Sequence, residues 1–288
     1  MTRFYQLETD FRYVNCGMCY VLRLESGELI VLDGGYFAPG QAEALNAFFR
    51  ELCPKGIRIR AWMFSHAHQD HIGAFINYVR LFPDTPIGRI YHAFQPMDFS
   101  GVTGDWKDSD PATFREFYTA LKEMGEKADV HVFETGEVID IDEARFEVLY
   151  TYRDAEEEIT NFNDNSAVLM LSCRGTRILL PGDAAAVGAK ALMKRPDKLK
   201  CDIVQLSHHG FFGLPEEVYA AAGAHTSLWP TPFYEVEKNA ARQANAFLAR
   251  TTDVILSNRG TACLELPYAK GTYTLLPRMF PDKAEADG

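Results

Sequence analysis

The chain has 288 residues, 47% of them hydrophobic and 24% charged, and a formal net charge of −11. An acidic surface repels phosphate backbones, so long nucleic acid is a poor candidate substrate and a small molecule is the expected partner. No apolar run reaches the roughly 20 residues that span a bilayer, and the first residues lack the apolar core of a secretory signal, which together predict a cytoplasmic protein without a membrane partner.

The first half of the chain alternates segments of strand character with segments of helical spacing. Apolar runs bounded by turn residues predict strands, whereas apolar residues three and four positions apart predict helices. The predicted strands cover 3–9, 19–25, 29–35, 59–65 and 87–93, and the predicted helices cover 40–52, 74–82 and 111–125. Pro111 fits the first turn of the last of these helices.

The second half begins with several strands and then alternates strands with helices. Its predicted strands cover 130–133, 145–152, 166–173, 176–183, 201–207, 225–230, 253–258, 262–267 and 272–276, and its predicted helices cover 184–193, 215–223 and 239–250. Two mixed β-sheets packed face to face, with helices on both outer faces, would bury this pattern. We therefore predict an α/β protein with an αββα four-layer sandwich, one domain over residues 1–277 and a flexible tail over 278–288.

The segment "HAHQDH" follows a predicted buried strand and concentrates metal-binding side chains. It contains His66, His68, Asp70 and His71 within six positions. Imidazole and carboxylate are the ligands that zinc and related ions prefer, and such groups are costly to bury unless a cation neutralises them. An extended loop points His66 and His68 to one side, while the other two residues can face a second ion from the start of a helix.

Two later strands also end in metal-binding side chains. "ILLPGDA" ends a strand at Asp183, whose carboxylate can bridge two ions, and "DIVQLSHHG" ends the next at His208 and His209. Loops at strand ends commonly gather side chains into a site. The three segments together predict a metal centre.

With these motifs in place, the sequence resembles the metallo-β-lactamase-fold hydrolases over nearly its whole length. The resemblance rests on "LIVLDGG", "SHAHQDHIGA", "LLPGDA" and "LSHHG", which occur in the family's order. The combination of "NDNSAVLML", "RILLPGD" and "DIVQLSHHG" is similar to one branch, which includes the metallohydrolase domain of DNA-internalisation competence proteins and the phosphorylcholine esterases. The resemblance implies the metallo-β-lactamase fold and two divalent ions, zinc or manganese, with iron as an alternative.

The family's ligand positions carry over to residues of this chain. The resemblance implies that His66 and His68 bind the first metal, that Asp70 and His71 bind the second, and that Asp183 bridges them. Either member of the His208 and His209 pair could complete the second site. We favour His209, because the esterases place the ligand second; His208 would then contact the substrate or transfer a proton. Asp33 is expected to orient a ligand histidine.

One departure from the family lies between residues 149 and 166. The family usually takes another histidine for the first metal from this region, and here the region contains none. A side-chain oxygen or a water molecule could replace it, and the candidates for the side chain are Asn163, Asp164 and Asn165. His92 is a poor substitute as a ligand, but it could line the cleft and contact the substrate. Oxygen ligands at the first site would favour manganese over zinc.

The chemistry implied is hydrolysis by a metal-activated hydroxide, because two divalent ions lower the pKa of a bridging water from about 15.7 towards 7. Asp70 and Asp183 would orient that hydroxide, and a protonated His208 would stabilise the developing negative charge. A small phosphodiester or other phosphoester is the leading substrate class. The alternatives are a carbonyl ester, as in a lactonase or thioesterase, and a metal-binding or sensing protein without turnover. A flavodiiron-type protein is disfavoured, because that branch has a carboxylate in place of His68.

Two further features have a structural and a functional interpretation. The "CGMC" motif of Cys16 and Cys19 has no second cysteine pair, so we interpret it as small side chains near a strand start.

Aromatic residues in two loops are candidates for a wall that would bind a base, a choline-like cation or a ring. These aromatic residues are Phe94, Phe99, Trp106, Trp229, Phe233 and Tyr234.

Overall fold

The computed structural model describes residues 1–10, 12–13, 16–96, 109–159, 162–258 and 260–280. The strands within these ranges are β1 Thr2–Gln6, β2 Tyr20–Arg23, β3 Leu29–Leu32, β4 Ile59–Met63, β5 Ile87–His92, β6 Val130–Val132, β7 Val138–Ile141, β8 Ala144–Tyr150, β9 Val168–Cys173, β10 Thr176–Leu180, β11 Ile203–Gln205, β12 Thr226–Trp229, β13 Val254–Ser257, β14 Ala262–Leu266 and β15 Thr274–Leu275. The helices are α1 Gln41–Leu52, α2 Gln69–Leu81, α3 Ser109–Met124, α4 Ala186–Leu192, α5 Glu216–Ala222, α6 Phe233–Asn239 and α7 Gln243–Thr251.

The strands form two mixed sheets, one from each half of the chain apart from the last two strands. The first sheet has the order β15-β14-β1-β2-β3-β4-β5-β6, and the second has the order β13-β12-β11-β10-β9-β8-β7. Strands β3 to β6 run parallel in the first sheet, and β10 to β13 run parallel in the second. The carboxyl ends of parallel strands meet at one edge of a sheet, so each sheet gathers several strand-end loops there.

Alternation along the strands gives each sheet two apolar faces. Phe4 and Leu22 belong to the core between the sheets, together with Phe146 of the second sheet. Their neighbours Tyr5 and Val21 face the opposite way, into a cluster with α1, α2 and α3. A third cluster packs the outer face of the second sheet against α4, α5 and α7. The four-layer αββα sandwich predicted from the sequence is therefore confirmed.

The structure adds two elements to the predicted set and lengthens a third. Strand β7 has Val138 and Asp140 exposed and only its alternate residues buried, so its apolar signal is weak. Helix α6 is a short element that follows Pro232. Helix α2 begins at Gln69, five residues before the apolar run that predicted it, so Asp70 and His71 lie in its first turn, at the start of a helix as expected. None of the helices in the described ranges has both the length and the apolar character that crossing a membrane requires.

Candidate metal centre

The predicted metal-binding residues converge from three loops at the carboxyl ends of β4, β10 and β11. The Asp183 carboxylate lies at their centre. Its Oδ2 atom is 3.3 Å from His71 Nε2, 3.4 Å from His209 Nε2 and 3.7 Å from His66 Nε2. A single oxygen thus faces ligands predicted for both ions, which is the position expected of a bridging carboxylate.

The remaining contacts divide the cluster into two sides. On one side, His66 Nε2 lies 2.9 Å from His68 Nδ1. On the other side, Asp70 Oδ2 lies 3.0 Å from His209 Nε2 and 3.7 Å from His71 Nε2. His66, His71 and Asp183 also lie within 4.8 Å of one another. The assignment of each histidine to a first or a second ion therefore stays a prediction of the family resemblance.

Each histidine presents one nitrogen to the cluster while its other nitrogen has a partner outside it. His71 Nδ1 lies 2.8 Å from Asp33 Oδ2, and His209 Nδ1 lies 2.8 Å from the carbonyl oxygen of Pro230. His68 Nε2 lies 3.2 Å from Asp110 Oδ2. His66 Nδ1 lies 3.1 Å from the Ser65 hydroxyl. Partners of this kind fix the tautomer and orientation of metal-ligating histidines.

These partners indicate that the centre needs a cation. The Asp33 carboxylate and the Pro230 carbonyl only accept hydrogen bonds, so the Nδ1 atoms of His71 and His209 carry the protons. Their Nε2 lone pairs then face each other across 3.1 Å, an arrangement that requires a proton or a metal ion between them. Asp183 Oδ1 is also buried without a hydrogen-bond partner among the described residues. Imidazoles and carboxylates in this arrangement fit divalent ions of the zinc class.

The electrostatics of the centre keep both carboxylates ionised. Burial raises the pKa of Asp183, but His71, His209 and His66 outweigh burial and hold the pKa of this carboxyl well below its usual range. Burial likewise opposes ionisation of Asp70, and His71 and His209 reverse that effect and lower the pKa of Asp70. Ionised carboxylates are the form that binds metals.

The histidines respond to the same charges in different ways. Burial, followed by the neighbouring His71, holds the pKa of His66 well below its ordinary value. Burial lowers the pKa of His209 too, but Asp183 and Asp70 prevail and raise it to about 10. In His71 the charges of Asp183, Asp70 and Asp33 likewise outweigh burial, so its pKa lies well above the usual value. The carboxylates therefore favour positive charge beside these histidines, which a bound divalent ion would supply.

Unusual backbone conformations hold the three loops in position. Asp33, His208 and His209 all have positive φ, which is strained for residues with a Cβ atom. Gly182 also has positive φ, and a Cβ atom there would lie 2.7 Å from the Cβ of Ser65. The loop that carries Asp183 can therefore approach the loop of His66 closely only with glycine at this position.

The candidates to replace the missing histidine lie in different surroundings. Asn163 lines the cavity beside the cluster, and its Oδ1 atom is buried without a hydrogen-bond partner among the described residues. Asp164 Oδ1 accepts hydrogen bonds from the backbone N–H groups of residues 185 and 187 at the start of α4. Asn165 Oδ1 accepts one from the backbone N–H of Gln95. Asn163 is therefore the one of the three whose side-chain oxygen the described structure leaves available to an ion.

His92 lies among aromatic rings at the end of β5. Its Nδ1 atom accepts a hydrogen bond from the backbone N–H of Phe94, and its ring packs on Phe94, Phe117 and Tyr118. Burial lowers the pKa of His92 to about 4. These contacts are those of a neutral histidine that packs in the protein interior.

A cavity of about 630 Å³ opens from the metal centre. Among the described residues, its aromatic lining consists of Tyr13, Tyr36, Phe211 and Phe212, none of which belongs to the predicted wall. Two of the predicted aromatic residues, Phe94 and Trp229, belong to the core instead, with exposed fractions of 3% and 1%. Residues 99 and 106, and the side chains of residues 233 and 234, lie outside the described part of the chain.

Sequence analysis missed two polar residues of the site. Cys16 Sγ donates to Asp70 Oδ2 across 3.2 Å, whereas Cys19 is buried beside the Asp33 carbonyl, as the structural interpretation of "CGMC" expects. Burial and then the charge of Asp70 raise the pKa of the Cys16 thiol well above its usual value; a bound divalent ion would oppose both effects. Asp110 is a buried residue in the first turn of α3. No motif connects either residue to the histidines, because only the folded loops bring them together.

Three solved structures share the fold of this chain at low sequence identity. The metallo-β-lactamase fold protein YhfI from Bacillus subtilis is 12% identical, with a TM-score of 0.53 over 89% of this chain and 96% of its own. A diphosphatase of the PhnP family is 14% identical, with a TM-score of 0.51 over 94% of this chain and 100% of its own. CmlA, a diiron β-hydroxylase from Streptomyces venezuelae, is 13% identical, with a TM-score of 0.55 over 92% of this chain and 54% of its own.

These likenesses establish the fold, and a sequence comparison establishes the family. No curated protein matches the sequence at a significant level. The family model described as the metallo-beta-lactamase superfamily matches residues 14–229. That range covers most of the chain and includes every residue predicted to bind a metal. The chain therefore belongs to the metallo-beta-lactamase superfamily.

Proposed function

We propose that this protein is a dinuclear metal-dependent hydrolase that acts on a small phosphodiester. The observation that carries the proposal is the convergence of His71 Nε2, His209 Nε2 and the bridging Asp183 carboxylate within 3.4 Å of one another. These three groups come from separate loops, and the two nitrogens face each other as acceptors. A site built in this way is suited to hold divalent ions in fixed positions.

The residues divide the work between two ions and a substrate. His66 and His68 would hold the first ion with Asn163, and Asp183 would be shared between the ions. Asp70, His71 and His209 would hold the second. Divalent ions bound here supply hydroxide at neutral pH and offset negative charge on the substrate.

His208 is placed to act on the substrate rather than on a metal. It lines the cavity, and its Nδ1 atom is buried without a hydrogen-bond partner among the described residues. Its ring centroid lies 6.4 Å from that of His209, with an angle of 65° between the two ring planes. We propose that His208 donates a hydrogen bond to a substrate oxygen.

The size and charge of the cavity favour a small phosphodiester. Its volume lies within the roughly 300–1,000 Å³ typical of small-molecule sites and is too small for a nucleic-acid duplex. The described lining contains Asp70, Asp110 and Asp183 but neither lysine nor arginine. Among the described lining residues no lysine or arginine neutralises an anionic substrate, so this role would fall mainly to the bound ions, and a phosphodiester carries less negative charge than a phosphomonoester. The resemblance to phosphorylcholine esterases and the fold shared with a PhnP-family diphosphatase support the same substrate class.

A carbonyl ester is the second candidate substrate, and one observation favours it. The outer part of the cavity is aromatic, with Tyr36, Phe211 and the largely exposed Phe212. A neutral lactone or thioester would bind such a surface without any lysine or arginine. The same ions would serve either reaction.

Metal analysis followed by two substrate panels tests the proposal. Purified protein should contain close to two divalent ions per chain, and it should hydrolyse bis-p-nitrophenyl phosphate with zinc or manganese. Turnover of a lactone or thioester panel without phosphodiester turnover would transfer the assignment to the second candidate. Bound metal with no turnover of either panel would indicate a sensor, or, if the metal is iron, the oxidative chemistry for which CmlA is named.

Replacement of the bridging carboxylate provides the matched variant. Asp183→Asn keeps the side-chain volume but removes the charge, so we expect it to lose at least one ion and at least about 100-fold in turnover, the upper end of the loss caused by removing an outer-shell partner. Asp197→Asn changes an exposed carboxylate outside the cavity and should leave both properties unchanged. Full metal content in Asp183→Asn would contradict the bridging role.

A further inference from the structure

The two cysteines of "CGMC" face different parts of the molecule. Cys19 is buried, and its Sγ atom contacts the carbonyl oxygen of Asp33. Cys16 is partly exposed and lines the same cavity as Asp70, Asp183 and His209. The backbone between the two residues therefore turns one thiol into the interior and the other towards the metal centre.

Cys16 lies close enough to two residues predicted to hold the second ion that all three could bind the same ion. Its Sγ atom, one Asp70 oxygen and one His209 nitrogen all lie within 4.8 Å of one another. Asp70 Oδ2 is the common neighbour, 3.2 Å from Cys16 Sγ and 3.0 Å from His209 Nε2. Three different donor atoms from three separate segments of the chain thus surround one small volume.

Independent evidence for a cation comes from Asp183 and His71, the neighbours of His209 in the centre. Asp183 is 1% exposed, and its Oδ1 atom has no hydrogen-bond partner among the described residues. The Nε2 atoms of His71 and His209 face each other with their Nδ1 atoms engaged elsewhere. A thiol hydrogen bond to Asp70 accounts for one contact of Cys16, but it leaves these acceptor atoms without a counter-charge.

We propose that Cys16 is a ligand of the second metal ion. The second site then combines sulfur with the nitrogen and oxygen atoms of Asp70, His71, His209 and Asp183. The first site, formed by His66, His68 and Asn163 around the shared Asp183, contains nitrogen and oxygen only. Soft thiolate selects zinc and similar ions, whereas oxygen-rich sites suit manganese. The two sites therefore differ in metal preference. The site that contains Cys16 binds the first equivalent of a zinc-class ion, before the other site is occupied.

This inference rests on the two-ion site of the proposed function, and cobalt spectroscopy tests it without any assay of activity. Metal-free full-length protein is titrated anaerobically with Co²⁺. A near-ultraviolet thiolate-to-cobalt charge-transfer band should grow with the first equivalent, while visible ligand-field bands report all bound cobalt. The second equivalent should add to the visible bands but not to the charge-transfer band.

Two cysteine variants assign the sulfur. Cys16→Ser should lose the charge-transfer band, keep visible cobalt bands, and bind the first equivalent at least about 10- to 100-fold more weakly, by analogy with loss of an outer-shell partner. Cys201→Ser should behave as the unchanged protein, because Cys201 is also partly exposed but does not line the cavity. Circular dichroism of each metal-free variant checks that it is folded.

The outcomes separate this inference from the proposed function. Visible cobalt bands without a charge-transfer band in the unchanged protein would disprove ligation by Cys16 and leave the dinuclear hydrolase standing. A charge-transfer band that survives in Cys16→Ser would also disprove it. Absence of any cobalt binding would overturn both proposals. If Cys16→Ser does not fold, the spectrum of the unchanged protein still decides whether sulfur binds the metal.

Discussion

Each histidine of the metal centre has one ring nitrogen that faces away from the cluster, and the group that contacts this nitrogen differs from one histidine to the next. His71 has a carboxylate, Asp33, whose second oxygen also accepts the Ser65 backbone N–H. His68 has another carboxylate, Asp110, contributed by a helix far along the chain. A carboxylate partner raises the basicity of the ligating nitrogen, so each pair should set the affinity of one ion.

Replacing these two carboxylates singly should weaken different ions. Asp33→Asn should lower the affinity of the second ion about 10- to 100-fold and that of the first ion less, because the Ser65 hydroxyl links Asp33 to His66. Asp110→Asn should weaken mainly the first ion. Competition between cobalt and a chromophoric chelator measures the two affinities separately. Equal weakening of both ions by either variant would contradict this division, and an exposed variant such as Asp197→Asn serves as the control.

At the scale of elements, the site is formed by residues that follow the carboxyl ends of strands, and several of these residues could be predicted from the sequence. Buried strands that end in polar residues predicted His66, Asp183 and the pair His208 and His209 as candidates, because the apolar runs are unambiguous and the motifs are short. The preference for His209 within the pair came from the family resemblance. The convergence of these residues followed from the same resemblance. The mutual positions of the loops depend on Asp33, Gly182 and their left-handed backbone, which no local pattern determines.

The roles of residues 163–165 could not be predicted from the sequence. Three adjacent polar residues were equivalent candidates for the missing ligand, because a one-residue shift in a short helical turn changes where each side chain points. In the structure, Asp164 Oδ1 accepts hydrogen bonds from the backbone N–H groups of residues 185 and 187 at the start of α4, at 3.1 and 3.2 Å. Asn163, by contrast, faces the cavity.

These placements predict opposite consequences for two neighbouring substitutions. Asp164→Ala removes hydrogen bonds that cap α4, so it should lower the free energy of unfolding by about 1 kcal/mol and change metal content little. Asn163→Ala should leave stability nearly unchanged but weaken the first ion. Urea unfolding and metal analysis of both variants provide the measurements. Loss of metal from Asp164→Ala without loss of stability would return Asp164 to the list of ligands.

At the scale of the whole molecule, the metal centre joins the two sheets. His66 to His71 follow a strand of the first sheet, whereas Asp183 and His209 follow strands of the second. The backbone N–H of Ala167 also donates to the Ser65 carbonyl oxygen at 2.8 Å, so the halves meet directly beneath the centre. The sequence predicted this sandwich but not the residues Cys16 and Asp110, which reach the centre through loops and helix packing rather than through a motif.

Ions that link the halves should stabilise the whole fold. A ligand that binds only the folded state at 100 times its Kd adds about 2.7 kcal/mol. For a chain of this size, with an unfolding entropy of about 2.1 cal/mol/K per residue, that corresponds to a rise in Tm of about 4–5 °C. Dialysis against a chelator should therefore lower the Tm by that amount, and re-addition of zinc should restore it. The chelator should have much less effect on Asp183→Asn, because that variant lacks the carboxylate shared by both ions. An unchanged Tm after verified removal of the metal would mean that the two sheets hold the ligand loops in place on their own, and that the ions serve chemistry without contributing to stability.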